Sequence, residues 1–246
     1  MPLSSAEQAV GRHPLDRPIW SALSSRQASF ARGDDRARRF DPDVAPFAAS
    51  ADDSPQALDA LGKLIADGAT VILLQAGETR LPSGTIAESS APAVQMVLQS
   101  FNPATGSAPI EPLDPSAAAE MRALAELTRP GPFAARTHEL GEFFGIRDRG
   151  RLVAMAGERM KTPGYCEVSA VCTHPDSRGR GFAAKLTSLV VSRILARGET
   201  PMLHAYASNK GAIALYERLG FLTRSEMTVI FLKRASGSTT RRGGSE

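Results

Sequence analysis

Val171-Cys-Thr-His-Pro-Asp-Ser-Arg-Gly-Arg-Gly-Phe-Ala-Ala-Lys-Leu186 is the stretch that decides how the chain is read. An apolar run ends near Thr173, and a short polar loop crosses Pro175. Arg178-Gly-Arg-Gly-Phe-Ala183 then opens a helix that continues to about Arg197 and closes at Gly198. Gly179 and Gly181 let the backbone approach a ligand closely. The start of a helix adds unpaired N–H donors and a partial positive charge. Together these favour an anion, most simply a pyrophosphate, held by main-chain amides. Arg178 and Arg180 either reinforce that field or stand as solvated surface charges.

Working outward, the flanking pattern is regular. Strands are expected over Phe143–Arg147 and Arg151–Arg159, joined by an Asp-Arg-Gly turn at 148–150, and then over Tyr165–Thr173. After the long helix come a strand at Met202–Ala207, a helix at Lys210–Leu219 stopped by Gly220, and a strand at Met227–Leu232. Upstream, Asp114 or Ser116 can cap a helix to about Leu127, which Pro130-Gly-Pro132 ends. Phe101-Asn-Pro-Ala-Thr-Gly-Ser-Ala-Pro109 has the composition of a linker. Before it lie a helical pattern from Pro55 to Asp67 and strand candidates at Ala69–Leu74 and Ala93–Leu98. The lone Trp20 is read as packing rather than as a ligand platform. These signals divide the chain into a small α/β unit over 1–107, a larger α/β domain over 108–235, and a tail over 236–246 read as disordered.

Composition narrows the function classes. The 246 residues are 42% hydrophobic and 22% charged, enough apolar material for a packed core. The net charge of +3 is accounted for by the end of the chain, where Lys233, Arg234, Arg241 and Arg242 face only Glu246. A neutral body argues against nucleic acid as the partner, because a specific binder places its basic groups on a folded face. Cys166 and Cys172 lie in one strand-like run where both would share a face, which suits reduced thiols in a cytoplasmic protein. The first residues lack the pattern of a signal peptide, and no stretch approaches the ~20 apolar residues of a membrane span. The four histidines are too scattered for a metal-site signature, so no metal is expected.

Two ligands compete for the loop. Gly179-x-Gly181-x-x-Ala184 formally matches a dinucleotide fingerprint, with Glu199 at about the spacing of a ribose-binding acid. Context speaks against it. That fingerprint places its first glycine at the strand end, whereas His174-Pro-Asp-Ser-Arg178 intervenes here, and Glu199 precedes the next strand instead of ending it. The second ligand is coenzyme A. Arg178-x-x-Gly181-x-Ala183 resembles the pyrophosphate-binding motif of the GNAT superfamily of N-acetyltransferases. Asn209-Lys-Gly-Ala212-Ile-Ala-Leu-Tyr216-Glu-Arg-Leu-Gly220-Phe221 resembles that superfamily's later helix. The resemblance spans roughly residues 108–234. Pro130-Gly-Pro-Phe133, Ala154-Met-Ala-Gly157 and Val171-Cys-Thr-His-Pro175 are similar to a bacterial subgroup related to glycine N-acyltransferase-like domains, whose members carry an additional N-terminal half.

The resemblance implies a mixed, largely antiparallel sheet flanked by helices. The smaller N-terminal α/β unit is open to being a degenerate copy of the same fold. It also implies an acyl-CoA cosubstrate, most simply acetyl-CoA, and direct transfer of the acyl group to an amine in a ternary complex. Cofactor contacts fall on Val171, Cys172, Thr173, Arg178, Gly179, Arg180, Gly181, Phe182, Ala183, Ala184 and Asn209. The strand before the loop lends main-chain groups to the pantetheine arm and the thioester carbonyl, and it should splay from the next strand to make room. Glu167, which strand alternation places with Ser169, Val171 and Thr173, is the candidate general base, with water or an ion-paired role as alternatives. Tyr216, on the inward stripe with Ala212, Leu215 and Leu219, is the candidate acid for the departing thiolate, and a core tyrosine would fit the same stripe. Asn209 could contact cofactor, cap the helix, or both.

Acceptor specificity is expected from the Arg129–Leu140 loop and from the first half, which covers the acceptor side or mediates a homodimer. The partner would be a small-molecule or peptide amine, with neither nucleic acid nor membrane involved. A module that senses acyl-CoA without turnover is the rival from another class.

Overall fold

The computed structural model describes residues 13–106 and 108–235. The expected tail at 236–246 lies outside them. The first half supplies α1 (Pro18–Leu23), a small antiparallel sheet of β1 (Ala31–Gly33), β2 (Ala37–Phe40) and β3 (Ala48–Ser50), then α2 (Pro55–Leu64), β4 (Thr70–Ala76) and β5 (Thr85–Leu98). The second half supplies β6 (Ile110–Pro112), α3 (Ala118–Thr128), β7 (Phe143–Asp148), β8 (Arg151–Thr162), β9 (Tyr165–Thr173), α4 (Phe182–Ala196), β10 (Thr200–Tyr206), α5 (Lys210–Leu219) and β11 (Phe221–Arg234).

One eight-stranded sheet, in the order β4-β11-β5-β10-β9-β8-β7-β6, runs through both halves. Here the expected division near residue 107 needs correcting. β5 lies between β10 and β11, bonded to both, and β4 closes the edge beyond β11. The 101–109 segment therefore joins strands of one sheet. The reason lies in register. β11 extends to Arg234 and needs partners along its whole length, which β5 supplies from Thr85 and β4 from Thr70. Lys233 and Arg234 accordingly belong to this strand and pair with Glu88 and Asp67, so part of the basic excess ascribed to the tail is folded.

Local chemistry explains the turns. Arg149 and Gly150 have φ of 51° and 80°, the pair of positive values that a tight two-residue hairpin needs between β7 and β8. Pro163-Gly164 turns β8 into β9, with Gly164 at φ 77°. Gly220 ends α5 at φ 99°, and a Cβ there would lie 1.4 Å from the carbonyl oxygen of Ser100. Its own carbonyl accepts from the N–H of Gln99 at 2.9 Å, so the Gly220-Phe221 pair fastens α5 to the end of β5.

The sheet is covered on both faces. Leu186, Val190, Val191 and Ile194 of α4 pack with Tyr216 and Leu219 of α5 over Val153, Cys166, Val168 and Leu203. Met121, Leu124 and Ala125 of α3 pack on the other face against Leu152, Met155 and Cys172. Beside them, Ile19, Ala22 and Leu23 of α1 join Phe40, Phe47, Ile72, Leu74 and Ala93. Trp20, by contrast, is only half-buried and lies under the guanidinium of Arg38 at 5.5 Å, so it is not a core anchor. Among the described residues no helix is long and apolar enough to cross a membrane.

Candidate active site

β9 and β10 run parallel and pair only over Thr200↔Tyr165, Pro201↔Cys166 and Met202↔Glu167. Beyond that point they part as expected: β10 turns its edge to β5, and β9 stays with β8. The break coincides with a bulge. Ala170 has φ 53°, costly for a residue with a Cβ, and the β8–β9 register jumps between Met155↔Cys172 and Gly157↔Ser169. One extra residue reverses the alternation downstream. Cys166 therefore packs under α4 while Cys172 packs under α3, on opposite faces rather than on the shared face expected from alternation. Burial pushes both thiols up, Cys166 to about 12 and Cys172 to about 11, so neither is a nucleophile near neutral pH.

Past the bulge the ladder resumes, and the N–H of His174 donates to Val153 of β8 at 2.7 Å. Alternation then turns the N–H groups of Thr173 and Val171 away from β8 and into the slot between the parted strands. A short 3₁₀ turn over Pro175–Ser177, in which the His174 ring accepts from Asp176 N–H at 3.2 Å, leads to Arg178. Gly179 and Gly181 take φ of 76° and 75°, and a Cβ at either would meet nothing within 4 Å, which leaves space beside the loop. Gly181 is the N-cap of α4 and offers no side-chain acceptor. The first-turn N–H groups of Phe182, Ala183 and Ala184 thus have no acceptor among the described residues. Arg180 lies over the Phe182 ring at 4.6 Å and pairs with Asp148 at 2.8 Å, while Arg178 reaches back to the carbonyl of Thr173 at 3.4 Å.

A cleft of about 660 Å³ begins at this loop, follows the slot past Tyr216, and ends against Phe47, Ile72, Leu74, Ala93 and Val229. It gathers Val171, Cys172, Thr173, every residue from Arg178 to Ala184, Asn209 and Tyr216, but not Glu167. Asn209 caps α5 through its side-chain oxygen, which accepts from Ala212 N–H at 3.2 Å. Tyr216 is buried against Phe221, with ring centroids 6.1 Å apart. Burial pushes its phenol up to about 12, with the nearby Cys172 adding to the shift.

Glu167 requires a correction. It is fully buried, and its oxygens accept from Arg159 Nε at 2.9 Å, Arg159 Nη2 at 2.6 Å, Met160 N–H at 3.1 Å and His204 Nδ1 at 2.8 Å. Burial opposes its charge, but the Arg159 guanidinium and the hydrogen bonds outweigh that and hold the carboxyl well below the usual carboxylate range. A carboxylate with each oxygen twice bonded and no path to the cleft is not placed to take a proton from substrate.

The pair continues into a buried chain of polar groups. Gln95 Oε1 accepts from Arg224 at 2.8 Å, so the Gln95 amide nitrogen, 2.9 Å from His204 Nε2 and 2.8 Å from the Leu15 carbonyl, is the donor to the ring. His204 therefore carries its proton on Nδ1 toward Glu167. Gln27, following α1, donates to the Arg159 carbonyl at 2.7 Å and accepts from Lys161 N–H at 3.0 Å, pinning the irregular stretch of β8 that presents Arg159.

The model of the family described as FR47-like protein matches residues 143–230. A GNAT-family protein from Novosphingobium aromaticivorans superposes with a TM-score of 0.85 at 42% identity, covering 92% of this chain and 100% of that one. The chain belongs to the GNAT family of acetyltransferases. A GCN5-related N-acetyltransferase from Kribbella flavida, at 20% identity and a TM-score of 0.64, shares the fold over 91% of this chain and 96% of its own. A mycothiol acetyltransferase of Streptomyces coelicolor is 41% identical over 58 residues, 23% of this chain. An N-alpha-acetyltransferase of Arabidopsis thaliana is 35% identical over 85 residues, 34% of this chain. The matched segments span only 19% and 44% of those two proteins. Within this GNAT fold, the residues that sequence reading missed are Arg159 and His204, together with the apolar end wall around Phe47 and Ile72, while Arg129 opens the loop expected to set acceptor specificity.

Proposed function

We propose that this chain is an acyl-CoA-dependent N-acyltransferase that uses acetyl-CoA and an amine bound together in the cleft. One observation carries the reading: the uncapped amides at the start of α4, the slot between β9 and β10, and Tyr216 all line one continuous cleft. The main-chain donors from Gly179 to Ala184 suit a diphosphate, and Asn209 borders the same end. The N–H groups of Val171 and Thr173 point where a thioester carbonyl would gather negative charge, which is the arrangement that accelerates attack most effectively.

In the reaction the amine nitrogen forms a bond to the carbonyl carbon and the carbon–sulfur bond breaks. The thiolate leaves with the proton of Tyr216, the surplus proton of the amine goes to water, and water returns a proton to the phenolate, which restores the tyrosine. Among the described residues no carboxylate lines the cleft, and both His204 nitrogens are engaged, so solvent replaces Glu167 as the proton acceptor. Positioning and carbonyl polarisation supply the bulk of the acceleration.

Incubation with acetyl-CoA and a panel of amines, followed by thiol release, tests the reading. Amine-dependent release of CoA with formation of the acetamide is expected. Tight CoA binding with no turnover across the panel would favour the sensor instead.

A further inference from the structure

The charge on the cleft wall is one-sided. Among the described residues its charged side chains are five arginines, at 129, 159, 178, 180 and 218, beside the ionisable Cys172, His204, Tyr206 and Tyr216, and no aspartate or glutamate lines it. Arg178 and Arg180 belong to the phosphate end. Arg129 and Arg159 lie toward the other end, beside the apolar wall of Phe47, Ile72 and Leu74. Arg129 ends α3 in a left-handed conformation, at φ 50°, and has no carboxylate partner among the described residues. A shallower extension of the same end, shared through Ile72 and Arg129, adds Phe133 and Phe231. Its one acid, Glu126, is held by Arg122 at 2.8 Å. Arg159 gives Nε and Nη2 to Glu167 and stacks over Phe47 at 4.8 Å, which leaves Nη1 as its remaining group at the cleft.

Such a wall discriminates. Arg159 is matched by Glu167 and Arg180 by Asp148, which leaves Arg129, Arg178 and Arg218 without a carboxylate partner among the described residues, so a polycation meets like charge there and is disfavoured both on approach and on binding. An ammonium is disfavoured for the same reason, so the site takes the amine in its neutral, nucleophilic form. An acceptor that brings its own carboxylate cancels the field, and an arginine is the natural partner for that group. The apolar end wall then takes a hydrocarbon or aromatic body.

We infer that the acceptor is a small amino acid-type molecule, with the reacting amine beside a carboxylate that faces Arg129 and with an apolar side chain lodged against Phe47, Ile72 and Leu74. This rests on the acyltransferase reading above and narrows it to a substrate class.

The test is the steady-state kcat/KM for acetyl transfer, expressed per unprotonated amine, for L-phenylalanine, L-phenylalanine amide, 2-phenylethylamine and spermidine. L-Phenylalanine should exceed its amide and 2-phenylethylamine by about tenfold or more, which is one charge-assisted contact, and spermidine should trail all three. Arg129→Asn, a residue that tolerates the left-handed conformation, should lower the value for L-phenylalanine about tenfold and that for 2-phenylethylamine less than twofold. If spermidine or 2-phenylethylamine matches the amino acid, or if Arg129→Asn slows every acceptor equally, the substrate class is wrong while acyl transfer stands. If no acceptor is acetylated although the protein binds CoA, both readings fail together.

Discussion

Glu167→Gln should lower the melting temperature by roughly 10 °C, because removing one partner of a buried ion pair costs about 3–5 kcal/mol in general. The cost arises on the other side of the pair. Arg159 would keep its charge, stay buried, and face an amide that offers one acceptor where the carboxylate offered two oxygens to its fork. The one amide oxygen can serve either His204 Nδ1 and Arg159 Nη2 or Arg159 Nε and Met160 N–H, and the other two donors would then face an NH2 group. The linkage has a definite sign. The Glu167 carboxyl is lower in the folded chain than in the unfolded one, so its stabilisation is complete above the unfolded value of about 4.3 and fades only as pH falls toward the folded value. The gap between native protein and variant should therefore hold from neutral pH to about pH 5 and close on further acidification. Replacing both partners, Arg159→Met with Glu167→Met, should restore much of the stability, since no buried charge is then left alone. An unchanged melting temperature with a collapse in rate would instead return Glu167 to the role of general base.

Tyr216→Phe should do the reverse, with a roughly hundredfold loss in kcat, the lower end of what general acids contribute. The ring contact with Phe221 survives the change, so the melting temperature should move by only a few degrees and the KM for acetyl-CoA by less than about threefold. A phenol pushed up to about 12 keeps its proton throughout the working range, and activity that needs that proton is lost only as pH rises through about 12. Transfer to a free thiolate of pKa near 8.5 is uphill, so the hydroxyl acts while the carbon–sulfur bond is breaking and negative charge is growing on sulfur. For the native enzyme, kcat/KM should climb with pH as the acceptor loses its proton, with no alkaline fall below about pH 10. An equal loss of kcat and of stability on Tyr216→Phe would mark it as a packing residue.

Much of this was legible in the chain because the signals are local. Glycines at 179 and 181, followed by an apolar helix, announce an anion cradle whatever else the fold does. The later helix shows its cap at Asn209 and its stop at Gly220 in the same direct way. Pairings between distant segments left no such mark. Thr85–Ala91 alternates too weakly to be told from loop, and only the presence of β11 on one side makes it a strand. Alternation along β9 does not carry through Ala170, a residue with nothing in its identity to signal a positive φ, and the faces beyond it are the inverse of those expected. Arg159 was within reach. Counting back through the Pro163-Gly164 turn puts Met160 and Arg159 opposite Glu167, and a buried glutamate demands a cation. Phe47, Ile72 and Leu74 of the apolar end wall lie more than a hundred positions upstream of the phosphate loop, and no spacing rule connects them to it.

The proposition beneath the rest is that main-chain amides between Gly179 and Ala184 hold the diphosphate of an acyl carrier. Titration calorimetry with CoA and with pantetheine, which lacks the diphosphate, tests it most directly. CoA should bind with a Kd in the micromolar range and pantetheine at least about a hundredfold more weakly, a difference near 2.7 kcal/mol. Equal affinities, or no heat with CoA on a folded protein, would contradict it.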